Sequence, residues 1–397
     1  MLKNKVIVLG ISGGIAAYKA ADLASKLAQA GANVRVVMTR EAAELVKPLT
    51  FQAMTGNPVV TEMFEPAPLS AITHISLADE ADLVAIVPAT ANIIAKIACG
   101  IADDMLTCVV LATKAPVVIS PAMHHNMYVN PITQENIARL KARGFTIIPA
   151  THGRLASGSL GYGRLPEITE IMGIIQQTLG RSGDLAGKQI VVTAGGTQEA
   201  IDPVRYISNH SSGKMGYALA EAARDRGAAI TLITTPTALT PIAGVETIKV
   251  QSAKEMKDAV VKATARTDAL IMAAAVADYM PKTTATQKIK KGTAGLTLEL
   301  VKTPDILSEV KGKFLKIGFA AETQDLVANA KKKLTGKGLD MIVANDVSAE
   351  GGVFGADTNK VTMIKKDGKQ EDLPLMSKRE VADKILNSVV KMLKGKN

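Results

Sequence analysis

Short runs rich in Val and Ile recur along this chain between Ala-rich amphipathic stretches, and that alternation is the strongest constraint on its fold. A run that is apolar at every position has no side to give to water, so it reads as a strand covered by helices on both faces of a mostly parallel sheet. Val6–Leu9, Val34–Met38, Leu83–Val87, Val117–Ile119 and Thr146–Ile148 are predicted strands. Between the first two, Leu23 and Leu27 lie four apart on one face of a helix expected over Gly14 to Gln29. The pattern stops near Leu179 and restarts with Ile190–Val192, Ile230–Ile233, Leu270–Met272, Ile317–Phe319 and Met341–Val343. Between the two series, Gly180-Arg181-Ser182-Gly183-Asp184 is a polar, glycine-containing break. A chain of 397 residues is also too long for one ordinary core. Two α/β domains are therefore expected, residues 1–180 and 188–397, joined by a linker over 181–187. The stretch Thr283 to Thr297, rich in Lys, Thr and Gly, interrupts the second domain and is expected to be a mobile loop.

Hydrophobic residues make up 47% and charged residues 21%, the balance of a folded domain. The apolar run after Met1 is too short for a signal peptide or a membrane span, so a cytoplasmic protein without a membrane partner is expected. A net charge of +10 would suit nucleic acid, but aromatic content is 3% and there is no Trp to stack on bases. Small phosphorylated ligands account for the excess better, and no nucleic-acid partner is expected. Cys99 and Cys108 are too few for a disulfide framework and lack zinc spacing, so buried thiols are expected. The lysines of Lys378 to Lys394 read as a solvated helix face.

The first strand ends in Gly10-Ile11-Ser12-Gly13-Gly14-Ile15, where glycines let backbone N–H groups approach a phosphate at a helix start. The pattern is not G-x-G-x-x-G, and the second strand ends in Thr39-Arg40 with no acidic residue for an adenosine ribose. A mononucleotide is favoured over NAD. Together with Pro88-Ala89-Thr90-Ala91-Asn92, Gly100 to Thr107 and Pro121-Ala122-Met123, residues 5–175 resemble the FMN-dependent cysteine decarboxylase family, which implies a flavodoxin-like domain. The resemblance implies FMN contacts from Ser12, Gly13, Gly14, Ile15, Thr39, Pro88, Ala89, Thr90 and Thr107. It makes His74 the base for a substrate thiol, so that hydride can leave the adjacent carbon and carbon dioxide follow. Asp103 and Asp104 read as helix caps or trimer contacts.

Two positions depart from that family. Met123 is followed by His124 where relatives carry Asn, leaving His124 or Asn126 to hold the substrate carboxylate. The pair His124-His125 has no metal-type spacing. The flap Gly153 to Arg164 has Ser157 where the typical member has the cysteine that returns a proton, and a hydroxyl is a far poorer acid than a thiol of pKa about 8.5.

In the second domain, Pro203 to Gly216 is dense in hydrogen-bonding and cationic groups and leads from a strand and turn into a helix. A Walker A loop is missing, since Ser208 stands where its first Gly should be and Met215 replaces Ser/Thr. Ala273-Ala274-Ala275 lets a base or ribose approach the backbone, and Asp278 offers a carboxylate for a metal or a ribose hydroxyl. With Gly318 to Thr323 and Ala344-Asn345-Asp346, residues 188–390 resemble the ligase half of the bifunctional phosphopantothenoylcysteine decarboxylase/phosphopantothenate–cysteine ligase family. The resemblance implies a second Rossmann-like domain binding CTP through Ala273–Ala275, Asp278, Pro304, Asp305, Ile306, Leu307, Phe319, Lys333 and Lys337. It also implies Lys288 on the nucleotide phosphates and Asn209 on the acyl intermediate, and the expected Mg2+ is assigned to the Asp278 carboxylate.

The two resemblances imply ligation of 4′-phosphopantothenate to cysteine with CTP, then FMN-dependent decarboxylation to 4′-phosphopantetheine. They also imply a homo-oligomer, with flavin-domain trimers and ligase-domain dimers combining in a dodecamer whose FMN sites lie at subunit contacts. The alternatives are a flavin-binding regulatory protein, to which Ser157 gives a foothold, and a decarboxylase of peptidyl cysteine.

Overall fold

The computed structural model describes residues 2–63, 73–291, 295–322, 325–346 and 355–395. The chain divides into two compact units, Met1–Gly180 and Arg181–Asn397, each with its own core.

In the first unit the all-apolar runs form a parallel sheet of β1 (Val6–Ile11), β2 (Asn33–Met38), β3 (Val59–Val60), β4 (Leu83–Ala89), β5 (Val117–Pro121) and β6 (Thr146–Ile147), in the order β3-β2-β1-β4-β5-β6. The central strands bury both faces, as their sequence requires. Ile7, Leu9 and Ile11 meet the helices Ala17–Gln29 and Ile168–Gly180, while Val8, Val84 and Ile86 meet Ala91–Cys99, Met105–Ala112 and Pro131–Ala142. Leu23 and Leu27 are fully buried and contribute roughly 1.5–3 kcal/mol each. The first helix begins at Ala17 and not at Gly14, because Gly13 and Gly14 turn the chain first and the Gly14 N–H donates to Ser12 O at 2.8 Å. Strand order reverses between β1 and β4, and that opens a crevice at their C-terminal ends. An antiparallel hairpin, β7 (Thr151–Arg154) and β8 (Leu160–Arg164), projects separately from the sheet.

The second unit contains β9 (Gln189–Ala194), β10 (Gln198–Ala200), β11 (Tyr206–Ser208), β12 (Ala229–Thr234), β13 (Glu246–Lys249), β14 (Ala269–Met272), β15 (Tyr279–Pro281), β16 (Leu300–Lys302), β17 (Leu315–Glu322), β18 (Met341–Asp346), β19 (Thr358–Lys365) and β20 (Gln370–Ser377). Its main sheet has the order β13-β12-β9-β14-β17-β18-β19-β20, parallel up to β18 and antiparallel beyond. Helices Lys214–Asp225 and Lys378–Lys394 cover one face, and Ala253–Ala263 covers the other. The order reverses between β9 and β14, where two small ladders, β10–β11 and β15–β16, follow the strand ends.

Three expectations change. The connector is not free: Leu185 is fully buried in the second core, and Asp184 pairs with Arg226 at 2.5 Å. Cys99 is exposed because it ends its helix on the side away from the sheet, whereas Cys108 is half-buried and burial pushes its thiol up. Of the lysine-rich stretch, residues 292–294 lie outside the described residues, while the part that follows β15 is tethered by Thr284 to Ala200 at the end of β10 and by Ala285 and Ile289 to Ile201 and Asp202 in the turn after it. Among the described residues, no helix is long and apolar enough to cross a membrane.

Candidate active sites

The crevice of the first unit opens into a cavity of 490 Å³. Gly13, Gly14, Ile15 and Lys19 wall it from the β1 turn, with Thr90, Met123 and His124 from the ends of β4 and β5 and Arg154 to Ser157 from the hairpin tip. The N–H groups of Gly13, Ile15 and Ala16 find no acceptor among the described residues, so three donors open the helix toward the cavity. A side chain at Gly13 would place its Cβ 2.3 Å from Glu41 Cβ, which explains why the backbone is bare there. Ile15 and Tyr18 are 65% and 60% exposed and offer an apolar ledge beside those donors. A phosphate with an attached flat ring fits this set of groups.

Ser12 serves the same turn from beneath. It is buried, its hydroxyl donates to Pro88 O at 2.8 Å, and it accepts from Thr90 N at 2.9 Å, so it fixes the two loops to each other. Thr39 and Thr107 are buried helix caps, for Arg40–Leu45 and for Met105–Ala112. Asp104 completes the second cap with its carboxylate on Thr107 N at 2.8 Å, and Asp103 and Asp104 both pair with Lys96. Pro88, Ala89 and Asn126 stand next to the cavity in sequence without lining it. His74 is half-buried in the first turn of the helix Thr73–Glu80 and is not among the residues lining the 490 Å³ cavity.

The hairpin is held by contacts that sequence reasoning missed. His125 Nδ1 accepts from Tyr162 N at 3.1 Å, and the Tyr162 ring lies edge-on to His152 at 5.2 Å. At the tip, the hydroxyls of Ser157 and Ser159 are 2.8 Å apart. Gly163 has φ +128°, and a Cβ there would sit 2.1 Å from the backbone oxygen of Met123. Gly163→Ala is accordingly expected to lower the stability of this unit by about 1–3 kcal/mol, read as an earlier denaturant midpoint. An unchanged midpoint would mean that the hairpin does not press on Met123.

In the second unit, a cavity of 630 Å³ follows the ends of β14 and β17. It gathers Asn209, Ala274, Ala275, Asp278, Pro304 to Leu307, Phe319, Lys333 and Lys337. Ala273 lies on a neighbouring cavity of 160 Å³ that shares the wall of Ala274, Ala275 and Phe319. The Ala loop is pinned by Thr193 Oγ1, which accepts from Ala274 N at 3.1 Å, and by Thr197 Oγ1, which accepts from Ala277 N at 2.9 Å. Asn209 Nδ2 donates to Val276 O at 3.1 Å. Burial raises the Asp305 carboxyl, but Ser308 and Lys337, the latter at 3.2 Å, outweigh it and leave the group below its ordinary value. Lys288 is exposed and lines none of these cavities.

The smaller cavity adds residues that the sequence did not single out. Asn345 Oδ1 faces it buried and without a hydrogen-bond partner among the described residues. Lys378 is not part of a solvated face: its ammonium turns to Ala356 O and Thr358 O, and burial, with Lys214 nearby, lowers its pKa. An orphaned acceptor beside two lysines fits a polar anionic ligand carrying donors of its own. No group of three or more metal-ligating side chains exists among the described residues.

Residues 1–180 match the family model described as flavoprotein, and residues 185–393 match that of the DNA/pantothenate metabolism flavoprotein C-terminal domain. The coenzyme A biosynthesis bifunctional protein CoaBC of Bacillus subtilis is 50% identical over 99% of this chain and 98% of its own length. The chain belongs to the CoaBC family. The CoaBC protein of Vibrio vulnificus is 47% identical over 98% of both chains. A crystal structure of the C-terminal domain of a CoaBC protein aligns with 54% of this chain and 100% of that one, at 46% identity and a TM-score of 0.47. CoaBC membership spans both crevices, so neither unit is an addition foreign to the family.

Proposed function

We propose that the chain makes 4′-phosphopantetheine from 4′-phosphopantothenate and cysteine in two consecutive steps. The observation that supports this best is the near-full-length match to CoaBC proteins, with a separate crevice in each matched unit. In the second unit, the 4′-phosphopantothenate carboxylate attacks the α-phosphorus of CTP, pyrophosphate leaves, and an acyl-cytidylate forms. The cysteine amine then displaces CMP to give phosphopantothenoylcysteine. Ala273–Ala275 and Phe319 would hold the nucleotide, with Lys333 and Lys337 as cations, and Asp278 would share Mg2+ with the phosphates. Asn209, its amide already oriented by Val276 O, would bind the acyl intermediate.

In the first unit, FMN bound at the crevice would supply two-electron chemistry, as hydride acceptor and donor, for the carbon beside sulfur. The turn at Gly13 to Ala16 would bind its phosphate, and His124, capping the helix His125–Tyr128, would orient the substrate carboxylate. His74 would take the thiol proton. In the expected trimers a neighbouring subunit would complete each site, with ligase-unit dimers linking the trimers. Ser157 would hand on a proton, with Ser159 as its hydroxyl partner. The setting is the cytoplasm. A regulatory role without catalysis is not favoured, because both matched units are present at full length.

Purified protein incubated with 4′-phosphopantothenate, cysteine, CTP and magnesium tests the reading by mass analysis. Pyrophosphate release that needs both acid and amine, with loss of carbon dioxide from the product, is the expected result. Release independent of cysteine, or none, would overturn it, and ATP in place of CTP reads the nucleotide preference.

A further inference from the structure

Asp202 sits in the turn between β10 and β11, and its carboxylate is buried and fully engaged. Oδ1 accepts from Val204 N at 2.8 Å and Arg205 N at 2.9 Å, which closes the turn. Oδ2 accepts from Arg205 Nε at 3.0 Å and Nη2 at 2.6 Å, and also from Ile289 N at 3.1 Å. The same Arg205 Nη2 donates to Ile289 O at 2.8 Å. Both polar groups of the Ile289 backbone are thus gripped by one ion pair.

Ile289 follows Lys288. Before the lysine, Thr284 Oγ1 donates to Ala200 O at 3.1 Å and Ala285 N donates to Ile201 O at 3.0 Å. Lys288 is therefore bracketed by tethers to the ladder β10–β11, and β11 leads directly into Asn209. We infer that Asp202 is a positioning residue for coupling: through the backbone of Ile289, it sets where the Lys288 ammonium is presented relative to Asn209. The inference rests on the ligase reading of Lys288.

An asparagine shows why the carboxylate is needed. It has one oxygen, so it can keep the turn or the grip on Arg205 and Ile289, and its NH2 then faces donors. The Arg205 guanidinium holds Asp202 well below the usual carboxylate range, so the grip stays charged throughout any ordinary assay.

In the full chain, Asp202→Asn is expected to lower kcat for pyrophosphate release by about 10- to 100-fold, the scale of a small misplacement, with each KM within about twofold. Decarboxylation of supplied phosphopantothenoylcysteine is expected to stay unchanged. Hydrogen exchange measured without substrates should show lost protection at Ala285 and Ile289 while the helices Lys214–Asp225 and Lys378–Lys394 stay protected. Asp202→Glu, which keeps the charge, should recover part of both kcat and protection. Wild-type kcat or unchanged exchange in Asp202→Asn overturns the inference, as does a rise in KM alone. If Asp202→Asn does not fold, wild-type kcat and exchange in Asp202→Glu overturn it instead. Absence of pyrophosphate release from the wild type would overturn the ligase reading itself, while exchange still decides whether the grip exists.

Discussion

Replacing Lys288 with glutamine is expected to lower CTP-dependent coupling by about 100- to 1,000-fold, the usual effect of losing one group that meets developing charge. The side chain is exposed in the stretch that follows β15. Glutamine keeps a polar end, though one atom shorter in reach, and leaves the tethers at Thr284, Ala285 and Ile289 intact, because those use backbone atoms or other side chains. The main change is loss of the positive charge. Decarboxylation of supplied phosphopantothenoylcysteine belongs to the Met1–Gly180 unit and should proceed at the wild-type rate. Rates for the two half-reactions, measured on one preparation, check this directly; a parallel fall in both would sink the assignment of separate sites.

The second large effect concerns stability. Asp225 closes the helix Lys214–Asp225 with no exposed surface, and its Oδ1 accepts from Arg224 Nε at 2.9 Å and Nη2 at 2.6 Å. From the other helix, Arg379 Nη2 approaches Oδ2 at 2.8 Å. Arg224 is itself buried and keeps one further bond, from Nη1 to Ala243 O at 2.7 Å. Asp225→Ala leaves a buried guanidinium facing a second one without the intervening carboxylate. The expected loss is roughly 3–5 kcal/mol, because the desolvation of the arginines is no longer offset. Urea unfolding followed through a probe in the second unit would read it as a lower midpoint with similar slope, and a change under about 1 kcal/mol would show that water or a rearranged Glu221 takes over the role. Burial already pushes the Glu221 carboxyl up, so it is a poor substitute anion.

The central parallel strands were legible because burial on both faces forces unbroken apolar runs, and each predicted run stands in the two sheets within a few residues of its expected limits; the parallel edge strands β3 and β13, short or polar and only partly buried, were missed. The antiparallel ladders were not legible either. β7 and β8 contain Gly153, Gly161 and Gly163, which carry no strand preference, and their pairing depends on His125 and Tyr162, far apart in sequence. β20 reads as polar because it is mostly exposed, with Leu373 its one fully buried residue. The crevice residues at strand ends could be placed from the motifs, since topology brings strand ends together. For Ser12, Thr39 and Thr107 the family resemblance implies ligand contacts, and the structure adds a role that the motifs do not spell, as a bracket between two loops or as part of a helix cap. Asp202 left no local signal, since its decisive partner is separated from it by 87 residues.

The last strand of the larger sheet has a consequence for self-association. β20 is an edge strand, and a bare edge invites another chain to dock as one more strand. Here Pro374 lacks the N–H such docking needs, and Glu371 and Asp372 surround the open side with negative charge. Open-ended strand addition along that margin is thereby discouraged.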